Sequence, residues 1–213
     1  MTQGAQAVFM GQKSENLLKN YLKEKGFISV DNKEIDLLNS NVKLKDGKYF
    51  IFQKTLNIPK DEKKVKEVLL KLGIEDEDYF DAVSKIEYKP DFILFKVTDN
   101  EIKNMSCIEV KSKTSAGSDH EKYIYIGYKF NLFKKAGYPF DNLFVVLTKM
   151  LDLKAGSYIE NKKLCLNEVK TVAGIPEVYK CIMSLNKGLE VVKENNKIMF
   201  LSEIVSGEKE FWS

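Results

Sequence analysis

The sequence predicts one α/β (α+β) domain in which helices flank a central β-sheet. The chain of 213 residues, 44% of them hydrophobic, is long enough to bury a single core. Along it, segments with the periodicity of amphipathic helices alternate with short apolar segments typical of strands. One of these segments, at 142–147, is almost continuously apolar, which is typical of a central strand buried on both faces.

Three elements are predicted in the first half of the chain. Apolar residues recur at helical spacing over 12–25, and Gly26 follows where a helix favours a terminal glycine. Residues 42–53 predict a β-hairpin, because two apolar segments flank an Asp-Gly pair, which is a strong tight-turn signal. A second amphipathic helix is expected over 61–72, ending at Gly73.

The second half alternates strands with one long helix. Its predicted elements are strands at 91–97 and 105–113, a helix at 121–136, the strand at 142–147, and a hairpin of 189–193 with 197–201. A polar Asp99-Asn100 turn joins the first two strands, so we expect them to pair as neighbours.

Composition excludes several kinds of site. The three cysteines are far apart, and His120 is the one histidine, which excludes CxxC knuckles and multi-histidine zinc sites. There is no P-loop motif, so no nucleotide cofactor is expected. No apolar run approaches the roughly 18 residues of a membrane span, and residues 1–11 do not resemble a secretory signal. We therefore expect a cytoplasmic protein with no membrane partner.

A carboxylate and an ammonium are predicted to share one face of a central strand. Residues two apart in a strand point to the same side, so Glu109 and Lys111 lie together. A hairpin connection would bring Asp91, at the start of the preceding strand, beside Glu109. Two adjacent carboxylates repel each other unless a cation lies between them. Oxygen ligands without histidine favour Mg²⁺ or Mn²⁺ over zinc.

These residues resemble a known nuclease motif. Pro90-Asp91 followed by Glu109-Val110-Lys111 resembles the PD-(D/E)xK signature of the restriction-endonuclease-like nuclease superfamily. Members often carry a glutamate on a helix before the first core strand, and Glu15 looks like that residue. The element order over about 11–148 is similar to the family core, with about 32–89 as an insertion.

The resemblance implies a fold and a domain organisation. It implies a restriction-endonuclease-like core, which is a central mixed β-sheet flanked by helices, here with an inserted hairpin–helix element. The chain, 1–213, would be a single nuclease domain. Residues 149–213 would form a C-terminal extension for DNA reading or dimerisation.

The resemblance also implies roles for individual residues. Asp91, Glu109 and the Val110 carbonyl would bind Mg²⁺, for which Mn²⁺ substitutes, and Glu15 would contribute directly or through water. Lys111 would orient or deprotonate the attacking water, or neutralise the charge that develops on the phosphate.

Simpler interpretations of the same residues stay open. Glu109 and Lys111 would be an ordinary solvated pair if their strand were at the edge of the sheet. Glu15 would be a dipole-complementing acid if it lay in the first turn of its helix.

All 34 basic residues are lysines, and the net charge is +3, which by itself does not indicate a nucleic-acid partner. Lysines alternate with aromatic residues around the predicted helix at 121–136, which suits a phosphate-lined groove. We expect double-stranded DNA as the partner, with contacts from Lys113, Lys122 and Lys129.

The predicted function is a metal-dependent endodeoxyribonuclease, most like a type II restriction endonuclease acting as a homodimer. Two equivalent active sites are the simplest way to cut both strands of a two-fold symmetric site. Two alternatives are a structure-specific nuclease resembling a Holliday-junction resolvase and a catalytically silent DNA-binding module of the same fold.

Overall fold

A six-stranded mixed β-sheet lies at the centre of the described part of the chain, and helices cover both of its faces. The computed structural model describes residues 3–31, 35–38, 42–71, 73, 80–113, 124–149 and 196–212. The predicted α+β class, with helices flanking a central mixed sheet, is confirmed. None of the helices in these ranges is both long and apolar enough to cross a membrane.

The described residues form five helices and eight strands. In order, they are α1 (Gln3–Glu24), β1 (Phe27–Ser29), β2 (Gly47–Phe52), β3 (Leu56–Asn57), α2 (Glu62–Lys71), α3 (Phe80–Ser84), β4 (Glu87–Tyr88), β5 (Phe92–Thr98), β6 (Glu101–Lys113), α4 (Ile124–Lys135), β7 (Phe140–Lys149), β8 (Asn196–Phe200) and α5 (Leu201–Val205). Gly26 ends α1 with a φ of +80°, and its N–H donates to the Lys23 carbonyl at 3.0 Å. The predicted terminal glycine is therefore confirmed.

The strand order of the main sheet is β1-β2-β5-β6-β7-β8. The β2, β5 and β6 strands are antiparallel neighbours, whereas the β1–β2, β6–β7 and β7–β8 pairs are parallel. Helix α4 makes the crossover between β6 and β7, as a parallel pair requires. A smaller antiparallel pair, β3 with β4, lies outside this sheet.

Alternating side chains divide the core into two clusters. One face of the sheet packs with α2, α3, α4 and the β3–β4 pair, and its cluster includes Cys107, Phe130 and Phe133. The other face packs with α1 and α5, and its cluster includes Leu18 and Ile108. The long central strands are thus buried on both sides, which explains their nearly continuous apolar sequences.

The predicted hairpin at 42–53 is wrong in its first half. Residues 42–45 form no strand, and Gly47 begins β2, which pairs with β1 on one side and β5 on the other. Both hydrogen-bonding edges of β2 are therefore taken by strands distant in sequence. The Asp-Gly signal is local and does not anticipate these pairings. The helix of the predicted hairpin–helix element is confirmed as α2.

Parts of both predicted additions contribute to the main sheet. The predicted insertion at 32–89 supplies β2, and the predicted C-terminal extension at 149–213 supplies β8. The extension also supplies α5, which packs on one face of the sheet. The predicted strand 189–193 and residues 121–123 of the predicted helix lie outside the described residues.

Candidate active site

Polar residues from three strands meet at one end of the main sheet. The last paired row of these strands consists of Phe52, Phe92 and Ile108. The next row therefore holds Gln53, Asp91 and Glu109, just beyond the ends of β2 and β5. The Gln53 N–H donates to the Asp91 carbonyl at 3.0 Å, which continues the pairing of these two strands by one step. The predicted neighbourhood of Asp91 and Glu109 thus follows from the register.

A β-bulge in β6 creates this row. Near the turn, Thr98 pairs with Glu101, but Leu94 pairs with Ser106, so the register shifts by one residue in between. Asn104 takes up the extra position with a φ of +51°, as the first residue of a G1 bulge does. If Asn104 paired regularly instead of forming the bulge, Asp91 would face Ile108, whose side chain belongs to the opposite face of the sheet.

The Lys111 ammonium contacts both predicted carboxylates. Its Nζ lies 2.6 Å from Glu109 Oε2 and 3.5 Å from Asp91 Oδ2. Glu109 is only 6% exposed, and β6 is an interior strand of the sheet. These observations contradict the interpretation of Glu109 and Lys111 as a solvated pair on an edge strand. A cation therefore already lies between the two acids, and it belongs to the chain itself.

The Asp91 carboxylate is also bound to the backbone of the motif. Its Oδ2 accepts a hydrogen bond of 2.6 Å from the Val110 N–H. In a strand, the N–H and C=O of one residue point to the same neighbouring side. The Val110 carbonyl is therefore directed toward the side where Asp91 lies, as its predicted role in metal binding requires.

Burial and mutual charge shift the pKa values of this group. Burial raises the pKa of Glu109, and Lys111 opposes this while Asp91 adds to it. Burial alone would lower the pKa of Lys111, but the Glu109 and Asp91 carboxylates outweigh it and raise that pKa. The ammonium thus keeps its charge because it has two acidic neighbours.

Glu15 approaches the site from the opposite face of the sheet. Helix α1 packs on the face that includes Ile108 and Val110, whereas Glu109 points to the other face. Glu15 Oε2 accepts a hydrogen bond of 3.0 Å from Gln53 Nε2. Burial raises the pKa of Glu15, and the nearby Asp91 carboxylate raises it further. Since α1 begins at Gln3, Glu15 lies in mid-helix and is not a dipole-complementing acid of the first turn.

Two residues of this site are absent from the sequence prediction. Gln53 connects Glu15 with the Asp91 backbone, and its φ of +50° is uncommon for a residue other than glycine. Tyr88, on β4, is buried beside Glu109 and Cys107, and burial raises the pKa of its hydroxyl well above the ordinary value. The pairing of Phe52 with Phe92 places Gln53 opposite Asp91, so a known register of β2 against β5 would have identified Gln53. Nothing in the sequence distinguishes Tyr88 from a core aromatic residue.

The donors suit magnesium better than zinc. Within the described ranges, no group of three or more His, Cys, Asp or Glu side chains comes together to hold a metal ion. Asp91 and Glu109 do come together, with Glu15 nearby and the Val110 carbonyl directed to the same side. Mg²⁺ commonly binds one or two carboxylates and completes its shell with water or phosphate oxygens. The site residues therefore fit a magnesium ion that keeps several waters.

The predicted DNA-binding lysines are only partly described. Lys129 is exposed on α4, near the exposed rings of Tyr125 and Tyr128 along the same helix. Lys122 and the side chain of Lys113 lie outside the described residues. The lysines and aromatic residues of α4 thus lie in different environments: Phe130 and Phe133 are fully buried, whereas Lys129 faces solvent.

Comparison of the chain with known protein families, curated proteins and solved structures finds no significant match.

Proposed function

We propose that this chain is a cytoplasmic, metal-dependent endodeoxyribonuclease that hydrolyses phosphodiester bonds of double-stranded DNA. Its nearest functional type would be a homodimeric type II restriction endonuclease with a restriction-endonuclease-like core. The observation that carries the proposal is the contact of Lys111 with both Asp91 and Glu109 at one end of the sheet. These are the residues of the PD-(D/E)xK resemblance: Asp91 lies immediately before β5, and Glu109 and Lys111 lie on β6.

Energetics favour a functional use of these charges. Burying two carboxylates and an ammonium carries a desolvation cost that their mutual attraction often fails to repay. Hydrophobic residues of similar volume would serve a purely structural role equally well or better. Clusters of charged groups with shifted pKa values are typical of active sites.

The residues would divide the chemistry among themselves. Asp91, Glu109 and the Val110 carbonyl would hold Mg²⁺ or Mn²⁺, and Glu15 would support them directly or through water. When bound, the ion polarises the scissile phosphate and makes water a better nucleophile. Lys111 would then turn from the carboxylates toward the phosphate, where it orients or deprotonates the water or stabilises the developing negative charge.

A specific observation supports a second candidate, which is a catalytically silent DNA-binding module. The Lys111 ammonium takes the position between the acids where a cation is needed, and no third carboxylate joins them within the described ranges. In such a module the three charges would be a buried structural network. This candidate predicts DNA binding that does not depend on divalent cations.

Cleavage assays on a set of DNA substrates test these proposals. The purified chain would be incubated with a plasmid, a linear duplex and a four-way junction, each in Mg²⁺, Mn²⁺ or EDTA. Discrete plasmid fragments in Mg²⁺ would support the restriction endonuclease. Cleavage of the four-way junction alone would support a junction resolvase. DNA binding with no cleavage in either metal would overturn the nuclease proposal and support the binding module.

A further inference from the structure

Tyr88 is buried next to the proposed metal site, and its hydroxyl faces the Glu109 carboxylate. The residue is 2% exposed, and its ring packs against Phe133 with centroids 5.5 Å apart. Within the described ranges, the hydroxyl makes no hydrogen bond of ordinary geometry. Its backbone is held in β4, where it pairs with Leu56. The side chain is thus fixed by its surroundings, while its hydroxyl is left without a well-formed hydrogen bond among the described residues.

A buried hydroxyl without a well-formed hydrogen bond is costly, which calls for an explanation. Leaving a buried donor unsatisfied forfeits the hydrogen bonds that it makes with water in the unfolded chain. A phenylalanine would fill the same space against Phe133 without this cost. The hydroxyl at position 88 therefore indicates a state of the protein in which it has a partner.

Glu109 is the strongest acceptor close to this hydroxyl. The Glu109 carboxylate acts on it most strongly and is a loose hydrogen-bond acceptor for it, and the Cys107 side chain and, more weakly, Asp91 also lie near it. Cys107 is a buried free thiol, and a thiol is only a weak hydrogen-bond partner. Glu109 Oε2 is at present bound by the Lys111 ammonium at 2.6 Å. If Lys111 moved away, the Glu109 carboxylate would lose this donor and would need another one.

We propose that Tyr88 is a positioning residue for Glu109: its hydroxyl, only loosely directed at the Glu109 carboxylate in the metal-free protein, donates a full hydrogen bond to it when a divalent cation binds and Lys111 moves away. This inference rests on the proposed nuclease function. Metal-binding carboxylates are generally held by a second hydrogen bond from the protein, which orients them toward the ion. Tyr88 would replace Lys111 as the donor to Glu109 and leave the ammonium available for the phosphate.

Two hydroxyl deletions on the same face of the sheet provide a matched comparison. Tyr88→Phe removes only this hydroxyl and keeps the ring in place. Tyr138→Phe removes a buried hydroxyl that already donates to the Asn57 carbonyl at 2.8 Å. Both rings pack against Phe133, so the two variants differ mainly in whether a hydrogen bond is lost in the metal-free protein.

Mn²⁺ titration of the full chain by calorimetry, with thermal melting of the metal-free proteins, tests the inference. We expect Tyr88→Phe to weaken Mn²⁺ binding by about tenfold or more without lowering the melting temperature. Tyr138→Phe should lower the melting temperature and leave Mn²⁺ affinity unchanged.

Three outcomes would overturn the inference. Wild-type affinity in Tyr88→Phe would show that the hydroxyl does not support the metal site. A lower melting temperature of metal-free Tyr88→Phe would show that the hydroxyl already has a partner. Failure of the wild-type chain to bind Mn²⁺ would instead overturn the proposed function, and the inference with it.

Discussion

The Asp91 carboxylate accepts a 2.6 Å hydrogen bond from the Val110 N–H, the backbone donor between Glu109 and Lys111. This bond joins the start of β5 to β6 beyond their last paired row. It holds the Asp91 side chain close to the side chains of Glu109 and Lys111. Removing the carboxylate therefore tests both charge and structure, and Asn, which keeps an oxygen acceptor, is a cleaner substitution than Ala.

Lys111 should stabilise the fold through Glu109. Lys111→Met leaves a buried carboxylate without its cation, and we expect the free energy of unfolding at pH 7 to fall by roughly 1–3 kcal/mol. The loss should shrink at acidic pH, because burial raises the pKa of Glu109 and protonation removes its charge. Urea unfolding measures both. Lys96→Met, at an exposed position of β5, is the control and should change stability by less than about 0.5 kcal/mol. Equal effects of the two substitutions would contradict the role given to Lys111.

Glu15 should make stability depend on pH. Burial and Asp91 raise its pKa above the ordinary value of 4.5, so the folded state favours the protonated form. Its contribution to stability is present below that value and is lost as the pH rises through the raised pKa. Glu15→Gln removes this charge, so the variant should match the wild type in acid and exceed its stability near neutral pH.

Unfolding in urea at a series of pH values measures this difference. Glu67→Gln, at an exposed position of α2, is the matched control and should follow the wild-type curve. A Glu15→Gln protein that is less stable than the wild type at pH 8 would refute the prediction.

Asn104 should be replaceable by glycine but not by valine. Its φ of +51° costs an L-residue with a β-branched side chain roughly 1–2 kcal/mol, whereas glycine adopts it freely. We therefore expect Asn104→Gly to retain stability and any DNA cleavage, and Asn104→Val to lower both. Lys96 has ordinary strand geometry and provides the control. There, Lys96→Val should be more stable than Lys96→Gly. Melting temperatures and cleavage rates of the four variants check this. Equal behaviour of Asn104→Gly and Asn104→Val would show that the bulge does not control the site.

Lys129 should contribute to DNA affinity through a phosphate. Lys129→Ala is expected to weaken binding uniformly across sequences and to reduce the salt slope of the binding constant by about one. Fluorescence anisotropy with a short duplex over a range of salt concentrations measures both. Lys23→Ala, an exposed lysine of α1, should change neither. An unchanged salt slope in Lys129→Ala would remove α4 from the DNA-binding surface.

Local signals in the sequence were sufficient for much of the fold. The Asp99-Asn100 turn is an example, because φ values of +54° and +62° at its two residues match a two-residue type I′ hairpin turn. That turn makes β5 and β6 neighbours and so predicts that Asp91 lies beside Glu109. Gly26 likewise identified the end of α1, although the helix begins at Gln3, ahead of its apolar stripe.

Long-range pairing accounts for what the sequence could not reveal. The bulge at Asn104 shifts the register by one residue, and a simple count from the turn would have paired Asp91 with Ile108. The partners of β2 lie far away in sequence, so its Asp-Gly start looked like a hairpin turn. Tyr88 reads as an ordinary core residue, because its relation to Glu109 depends on how β4 packs against the sheet.

Cleavage of plasmid DNA in Mg²⁺ by the wild type and by Asp91→Asn tests directly whether Asp91 helps to hold a metal ion against the phosphodiester. Asp99→Asn serves as the control, because it removes a carboxylate at an exposed turn where Asn tolerates the positive φ. We predict that Asp91→Asn binds DNA and melts as the wild type does, but cuts at least about 100-fold more slowly. Asp99→Asn should cut at the wild-type rate. Cleavage by Asp91→Asn at the wild-type rate would contradict the claim that Asp91 and Glu109 hold a metal ion against the phosphodiester.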